Sequence, residues 1–99
     1  MTDVPTTDNV AEGRIEIVID NLTAELVYEI DRGRLVIVHT GVPDDLGGRG
    51  IGGKLVSAAV DKAIAGNLTV VPRCPFASAW LKKHPEVAAQ VPIHWSGDL

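Results

Sequence analysis

Two features of this chain carry residue types that could do chemistry. The first is the run Gly47-Gly48-Arg49-Gly50-Ile51-Gly52-Gly53-Lys54. Glycines let the main chain approach an anion without a Cβ in the way. The N–H groups that open a helix point at that anion with the helix dipole behind them. Such a run reads as a phosphate loop, and Arg49 and Lys54 can neutralise charge beside it. The second feature is Cys74, between Arg73 and Pro75. Proline favours the first helical position, so Cys74 falls at a helix N-cap, where the dipole and a neighbouring cation both favour the thiolate. The plainer reading is a small buried residue at a strand end, a common fate of free cysteine.

The elements that position these residues follow from periodicity. Ile15, Ile17 and Ile19 alternate with polar neighbours, as do Ala24, Leu26, Tyr28 and Ile30, which is the pattern of half-buried antiparallel strands. Asp20-Asn21-Leu22-Thr23 and Asp31-Arg32-Gly33-Arg34 are turn-like breaks. A third strand, Leu35 to Thr40, is apolar on both faces through Val38, which predicts a central position covered by helices. From Gly50 the period changes. Ile51, Leu55, Val56, Ala59, Val60, Ala63 and Ile64 share one helical face, and Gly66-Asn67 ends the helix. Leu68 to Val71 reads as a fourth strand, and a strand, helix, strand succession of this length implies a right-handed parallel crossover. Phe76 to His84 reads as a short second helix, and Val87 to Val91 as a further turn or short helix. The fold class is α/β in the α+β sense: three antiparallel strands, a helix, a parallel fourth strand and one or two short C-terminal helices.

Bulk properties bound the function. Ninety-nine residues make one domain, too few for a two-domain nucleotide enzyme. Residues 1–12 are polar and aperiodic and are expected as a flexible tail, with 13–99 forming the domain. A net charge of −4 without a basic run argues against nucleic acid as a partner. Apolar stretches fall short of the ~20 residues a membrane span needs, and no secretory leader is apparent, so a cytoplasmic protein without membrane contact is expected. The single cysteine permits no internal disulfide and suits a reducing compartment. No metal site is expected.

Three glycine motifs compete for the loop. Gly48-x-Gly50-x-x-Gly53 satisfies a dinucleotide pattern, but the following strand ends without the acidic residue that would hold a ribose, and there is only one crossover unit. Gly48-x-x-x-x-Gly53-Lys54 begins a nucleoside-triphosphate loop, but Leu55 stands where a hydroxyl must ligate magnesium. The third reading takes Gly50-Ile51-Gly52 as a pyrophosphate loop opening a helix, between three antiparallel strands and a parallel one.

That third arrangement resembles the acetyl-CoA site of the Gcn5-related N-acetyltransferases, and specifically their very short single-domain branch. His39-Thr40-x-Val42-Pro43, Gly50-Ile51-Gly52-x-Lys54-Leu55, Val71-Pro72-x-Cys74-Pro75-Phe76 and His84-Pro85-Glu86 look like that branch in order and spacing, over roughly residues 14 to 90. Two positions depart from the pattern: Gly47 stands where a leading Gln or Arg is usual, and Trp80 stands where a tyrosine is. The resemblance implies acetyl-CoA or coenzyme A in a splay between the third and fourth strands. Thr40, Val42, Gly48, Arg49, Gly50, Ile51, Gly52, Gly53 and Lys54 would then form the binding residues. It implies acetyl transfer to an amine acceptor, either a small molecule or a protein, with Cys74 accepting the acetyl group or transferring a proton. The alternative is a non-catalytic coenzyme A-binding module acting as a sensor or partner protein. So small a chain leaves little for an acceptor pocket, which a homodimer or another partner would complete.

Two histidines and two aromatics remain. His39 ends the third strand, within reach of a parallel neighbour's Cys74, and is a candidate base; a structural histidine at a strand end is the alternative. His84 reads as a cap on the short helix. Phe76 and Trp80 share a helical face and read as core.

Overall fold

In the computed structural model, which describes residues 5–95, the alternating segments form one five-stranded sheet. The strands are β1 (Thr7–Asn9), β2 (Arg14–Ile19), β3 (Leu22–Asp31), β4 (Arg34–Gly41) and β5 (Thr69–Pro72), in spatial order β1-β2-β3-β4-β5. Three helices follow the meander: α1 (Ile51–Gly66), α2 (Pro75–Lys83) and α3 (Pro85–Ala88). Neighbouring strands are antiparallel except β4 and β5, which run parallel around the α1 crossover. The sequence expectation of three antiparallel strands and a parallel fourth corresponds to β2 through β5.

The tight turns form where the chain tolerates positive φ. Asp20 (φ 52°) and Asn21 (φ 66°) join β2 to β3, and Arg32 (φ 53°) and Gly33 (φ 79°) join β3 to β4. Positive φ at both central residues is the geometry whose twist matches paired antiparallel strands. Strand pairing then places Ile15, Ile17, Ala24, Leu26, Tyr28, Leu35 and Ile37 on one sheet face, where they meet Leu55, Val56, Ala59, Val60 and Ala63 of α1 in the core. Ala77 and Leu81 of α2 are fully buried in the same cluster. The opposite face carries an ion-pair group of Arg14 with Glu16 (3.0 Å) and Glu25 (3.7 Å) beside exposed Val18. Val38 is 42% exposed, so β4 is central but not covered on both faces along its whole length.

The expected tail is corrected at Thr7–Glu12. Thr7–Asn9 pair with Arg14–Glu16 as an edge strand, and Val10–Glu12 form a single 3₁₀ turn closed by Gly13 in the left-handed region. Residues 1–4 of that expectation lie outside the described residues. What holds β1 is a polar clasp: Tyr28 Oη donates to Asp8 Oδ1 and Lys62 Nζ to Asp8 Oδ2, each at 2.6 Å. Burial pushes the Asp8 carboxyl up, but the hydrogen bonds from Lys62 and Tyr28 outweigh it and hold the group below its ordinary value. Among the described residues no helix is long and apolar enough to cross a membrane.

Candidate functional site

The glycine run contains two kinds of glycine. Gly48 (φ 79°) and Gly50 (φ 73°, the N-cap of α1) are left-handed, and a Cβ at either would meet nothing within 4 Å. Conformation, not crowding, calls for glycine there, and the concave side of the loop stays open. Gly52 and Gly53 are the reverse case. Their Cβ atoms would stand 2.6 Å from Phe76 Cζ and 2.5 Å from Trp80 Nε1, so these glycines let α2 lie directly against the first turn of α1.

The loop before them is anchored from below. Leu46, 1% exposed, closes a 3₁₀ turn over Asp44–Leu46 and inserts into the core. The first hydrogen bond of α1 runs from Lys54 N–H to the Gly50 carbonyl at 3.1 Å. The N–H groups of Ile51, Gly52 and Gly53 therefore precede the bonded turns and are available to an anion. Ile51 contributes only main chain, because its side chain is buried in the core. An open concave loop, three helix-opening donors and the positive end of α1 fit a pyrophosphate.

Two cavities flank this turn. One, of about 360 Å³, lies between the loop and α2 and is bounded by Val42, Leu46, Gly48, Gly50, Phe76 and Trp80. The other, of about 470 Å³, continues past Gly50 and Gly53 to Arg49, Lys54, Ser57, Trp80, His84 and Glu86. Phe76 is 45% exposed, which corrects its reading as core, whereas Trp80 is partly buried and packs against the core cluster. Both rings line the smaller cavity, and Trp80 lines the larger one as well. Pattern could not separate the cases, because a cavity wall and a core face share one helical period. The signal was the pairing of Gly52 and Gly53 with two aromatics four residues apart. His84 behaves as expected of a cap: its Nδ1 lies 2.8 Å from the Trp80 carbonyl, to which it donates. Its ring also stacks on Trp80 with centroids 3.8 Å apart.

Cys74 stands where β4 and β5 separate. Their pairing ends at Ile37 and Pro72, and the Ile37 carbonyl accepts from both Arg73 N–H and Cys74 N–H at 3.1 Å. Beyond that point β4 continues to Gly41 with β3 on one side only. Cys74 is the N-cap of α2 and is 5% exposed, with Sγ 3.5 Å from Thr40 Oγ1. Burial pushes the thiol up. Hydrogen bonds from the Thr40 hydroxyl and from main-chain N–H groups of Ala77, Phe76 and Thr40 more than offset this, so the thiol is held below its ordinary value.

His39 is not brought to Cys74. An extra residue, Val38, is inserted where Val27 pairs with His39 and Tyr28 with Ile37. Along an unbroken strand, residues 35, 37 and 39 would share the core face. The bulge shifts that alternation by one, so Thr40, opposite core-facing Leu26, takes the inner position. His39 is exposed on the other face beside Gly41, whose Cβ would stand 3.1 Å from His39 Nε2. The residue sequence reasoning assigned only to the ligand, Thr40, is the one that touches the thiol.

Residues 14–91 match the GCN5-related N-acetyl-transferase family. No curated protein sequence matches the chain. Among solved structures, the solution NMR structure of a GCN5-like protein from Staphylococcus aureus, provisionally described as an N-acetyltransferase, superposes with a TM-score of 0.71. The two share 32% sequence identity over 96% of this chain and 94% of that one. The chain therefore belongs to the GCN5-related N-acetyl-transferase family.

Proposed function

We propose that this protein binds acetyl-CoA and transfers its acetyl group to an amine, with Cys74 taking part in the transfer. The observation that carries this reading is the splay after Ile37. It sets a thiol surrounded by hydrogen-bond donors one strand away from an open, helix-opening glycine loop. Acetyl-CoA supplies an activated acetyl thioester. The N–H groups of Ile51, Gly52 and Gly53 would hold its pyrophosphate, with Arg49 and Lys54 alongside. The edge of β4 beyond Ile37, lacking a β5 partner, offers main-chain groups to the amide-bearing arm, and Val42 lines its path.

Thr40 and the N–H groups of α2 favour negative charge on Sγ, which suits Cys74 to the role of nucleophile. In that role Sγ bonds to the acetyl carbon as the thioester C–S bond breaks, and the electron pair leaves on the coenzyme's sulfur. A neutral amine then attacks the acetyl carbon, its proton passes to water, and the Cys74 thiolate is restored. The acceptor is an amine on a small molecule or on a protein.

The burial of Cys74 favours a second reading, in which the domain binds coenzyme A without turnover; the thiol lines neither cavity of the loop. Incubation with acetyl-CoA, followed by protein mass and release of free thiol, separates the two. Acetylation or turnover lost in Cys74→Ala supports transfer. Equal binding by both proteins with neither signal supports the binding module. Absence of coenzyme A binding by calorimetry sinks both.

A further inference from the structure

A third groove, of about 460 Å³, shares no bounding residue with either cavity of the glycine loop. Leu81 and Lys82 of α2 form one wall, Pro85 and Ala88 of α3 a second, and Ile93 and Trp95 a third. Lys82 stands about 200° around the helix from Trp80, so this groove and the loop lie on opposite sides of α2. The third wall is fixed by the sheet. Val70 N–H donates to the Pro92 carbonyl at 2.9 Å and His94 N–H to the Val70 carbonyl at 2.8 Å, which sets Ile93 beside Val70 in a parallel bridge. Apart from Lys82 the walls are apolar, and the small side chains of Ala88 and Ala89 leave the space between them open. Lys82 Nζ lies 5.5 Å from the centre of the Trp95 ring and pairs with no carboxylate among the described residues. Lys82 and Lys83 both complement the C-terminal end of the α2 dipole, but only Lys82 borders the groove.

We infer that this groove binds a medium-chain carboxylate, its alkyl chain between Trp95 and the alanines of α3 and its head group at Lys82. The site is separate from acetyl transfer and does not depend on the acetyl-CoA reading. Charge selects the class. An ammonium group beside an apolar cavity, with no carboxylate lining that cavity, complements a ligand with an anionic head and an apolar body. A neutral alcohol of the same chain forgoes the ion pair, and an alkylamine meets a like charge. The indole face of Trp95 gives the chain a broad apolar contact, and Ile93 and Leu81 complete it. The volume lies towards the lower end of the range for small-molecule sites, which fits a chain of about six to ten carbons.

The test titrates the whole protein with octanoate, octanol and octylamine, each as dissolved monomer, and follows the two tryptophan indole N–H signals by proton–nitrogen correlation NMR. Comparison with Trp95→Phe assigns them. Octanoate should move the Trp95 signal and leave that of Trp80 in place. It should bind about threefold to fivefold more tightly than octanol, the effect of one exposed ion pair, and octylamine more weakly than either. Lys82→Gln should bring octanoate to the level of octanol. From butanoate to octanoate, affinity should rise about fourfold for each added methylene. Ala89 is exposed, so Ala89→Leu fills the groove from its solvent side without entering the core; it should abolish the octanoate response and leave coenzyme A binding by calorimetry unchanged. No response of Trp95, a response of Trp80 instead, or equal affinity for octanoate and octylamine would overturn the inference. So would self-association with rising protein concentration that Ala89→Leu removes, because a second copy would then occupy the groove.

Discussion

Replacing Gly53 by Ala sets two effects of known sign against each other. In an exposed helix, Gly→Ala stabilises by about 1 kcal/mol, because glycine loses more backbone entropy on ordering. At Gly53 the new Cβ would lie 2.5 Å from Trp80 Nε1, 2.9 Å from Cε2 and 3.2 Å from Cζ2. An aromatic edge cannot yield as a flexible side-chain end can, so Trp80 has to swing away and give up its 3.8 Å stack on His84. Inserting a methyl into a packed contact costs about 1–3 kcal/mol. The clash therefore outweighs the gain, for a net loss of up to about 2 kcal/mol and a midpoint lower by up to roughly 16 °C for a domain of this size. In a Trp80→Ala background the obstacle is gone, and Gly53→Ala should stabilise by up to about 1 kcal/mol. Urea unfolding followed by far-ultraviolet circular dichroism on the four proteins reads this sign reversal as a coupling energy. If Gly53→Ala stabilises the wild-type protein, or has the same sign in both backgrounds, the packing explanation of this glycine is wrong.

Other substitutions probe the remaining contacts. Thr40→Val removes the hydroxyl beside the thiol at nearly constant volume and should raise the Cys74 pKa, because a hydrogen bond that favours the thiolate is lost; the pH dependence of thiolate ultraviolet absorbance measures it, and an unmoved midpoint refutes the contact. His39→Ala should leave that titration where it is, and a shift comparable to that of Thr40→Val would show that His39 does reach the thiol. Gly50→Val forces a β-branched residue to φ 73° and should cost about 1–3 kcal/mol while abolishing coenzyme A binding by calorimetry; retained affinity would detach the loop from the ligand. Asp8 has a lowered folded-state pKa, so its contribution is present above the unfolded value near 3.8 and is lost as pH falls through the lower folded one. Because the Asp8 side chain is 35% exposed, that contribution is about 1 kcal/mol or less after screening. Urea midpoints of the wild type and Asp8→Asn should therefore differ near neutrality and converge in acid.

Where the sequence was readable, it was because one period or one residue type had one physical meaning. Strict alternation in 15–19 and 24–30 admits only half-buried strands, and Pro75 admits only a helix start, so β2, β3 and α2 lie close to where the residues place them. The edge strand β1 was hidden for the converse reason. Thr7–Asn9 is short and polar, and it is held by Asp8 reaching Tyr28 twenty residues away and Lys62 beyond that, contacts that leave no local pattern. Phe76 was misread because helical spacing says which face a residue is on and not whether that face is full. The opposing residues carry that information: two glycines at the start of α1 give the two rings room over the loop.

The inner partner of Cys74 turns on a single inserted residue. Counting by twos from Leu35 through Ile37 leads to His39, and a histidine beside a cysteine at the end of parallel strands invites a base and nucleophile pair. Val38 breaks the count. With two residues of β4 set against one step of β3, the side chain that follows Ile37 on the core face is Thr40. The bulge has a second effect at the same place: it lies directly after Ile37, where pairing with β5 ends and one carbonyl serves both Arg73 and Cys74. A bulge bends and further twists its strand, which gives β4 a course that β5 does not follow. The same residue that takes His39 away from the thiol therefore also opens the splay in which the thiol sits. Cys74 is left with a neutral hydroxyl and helix N–H groups in place of a histidine, and these contacts are what hold its thiol below the ordinary value.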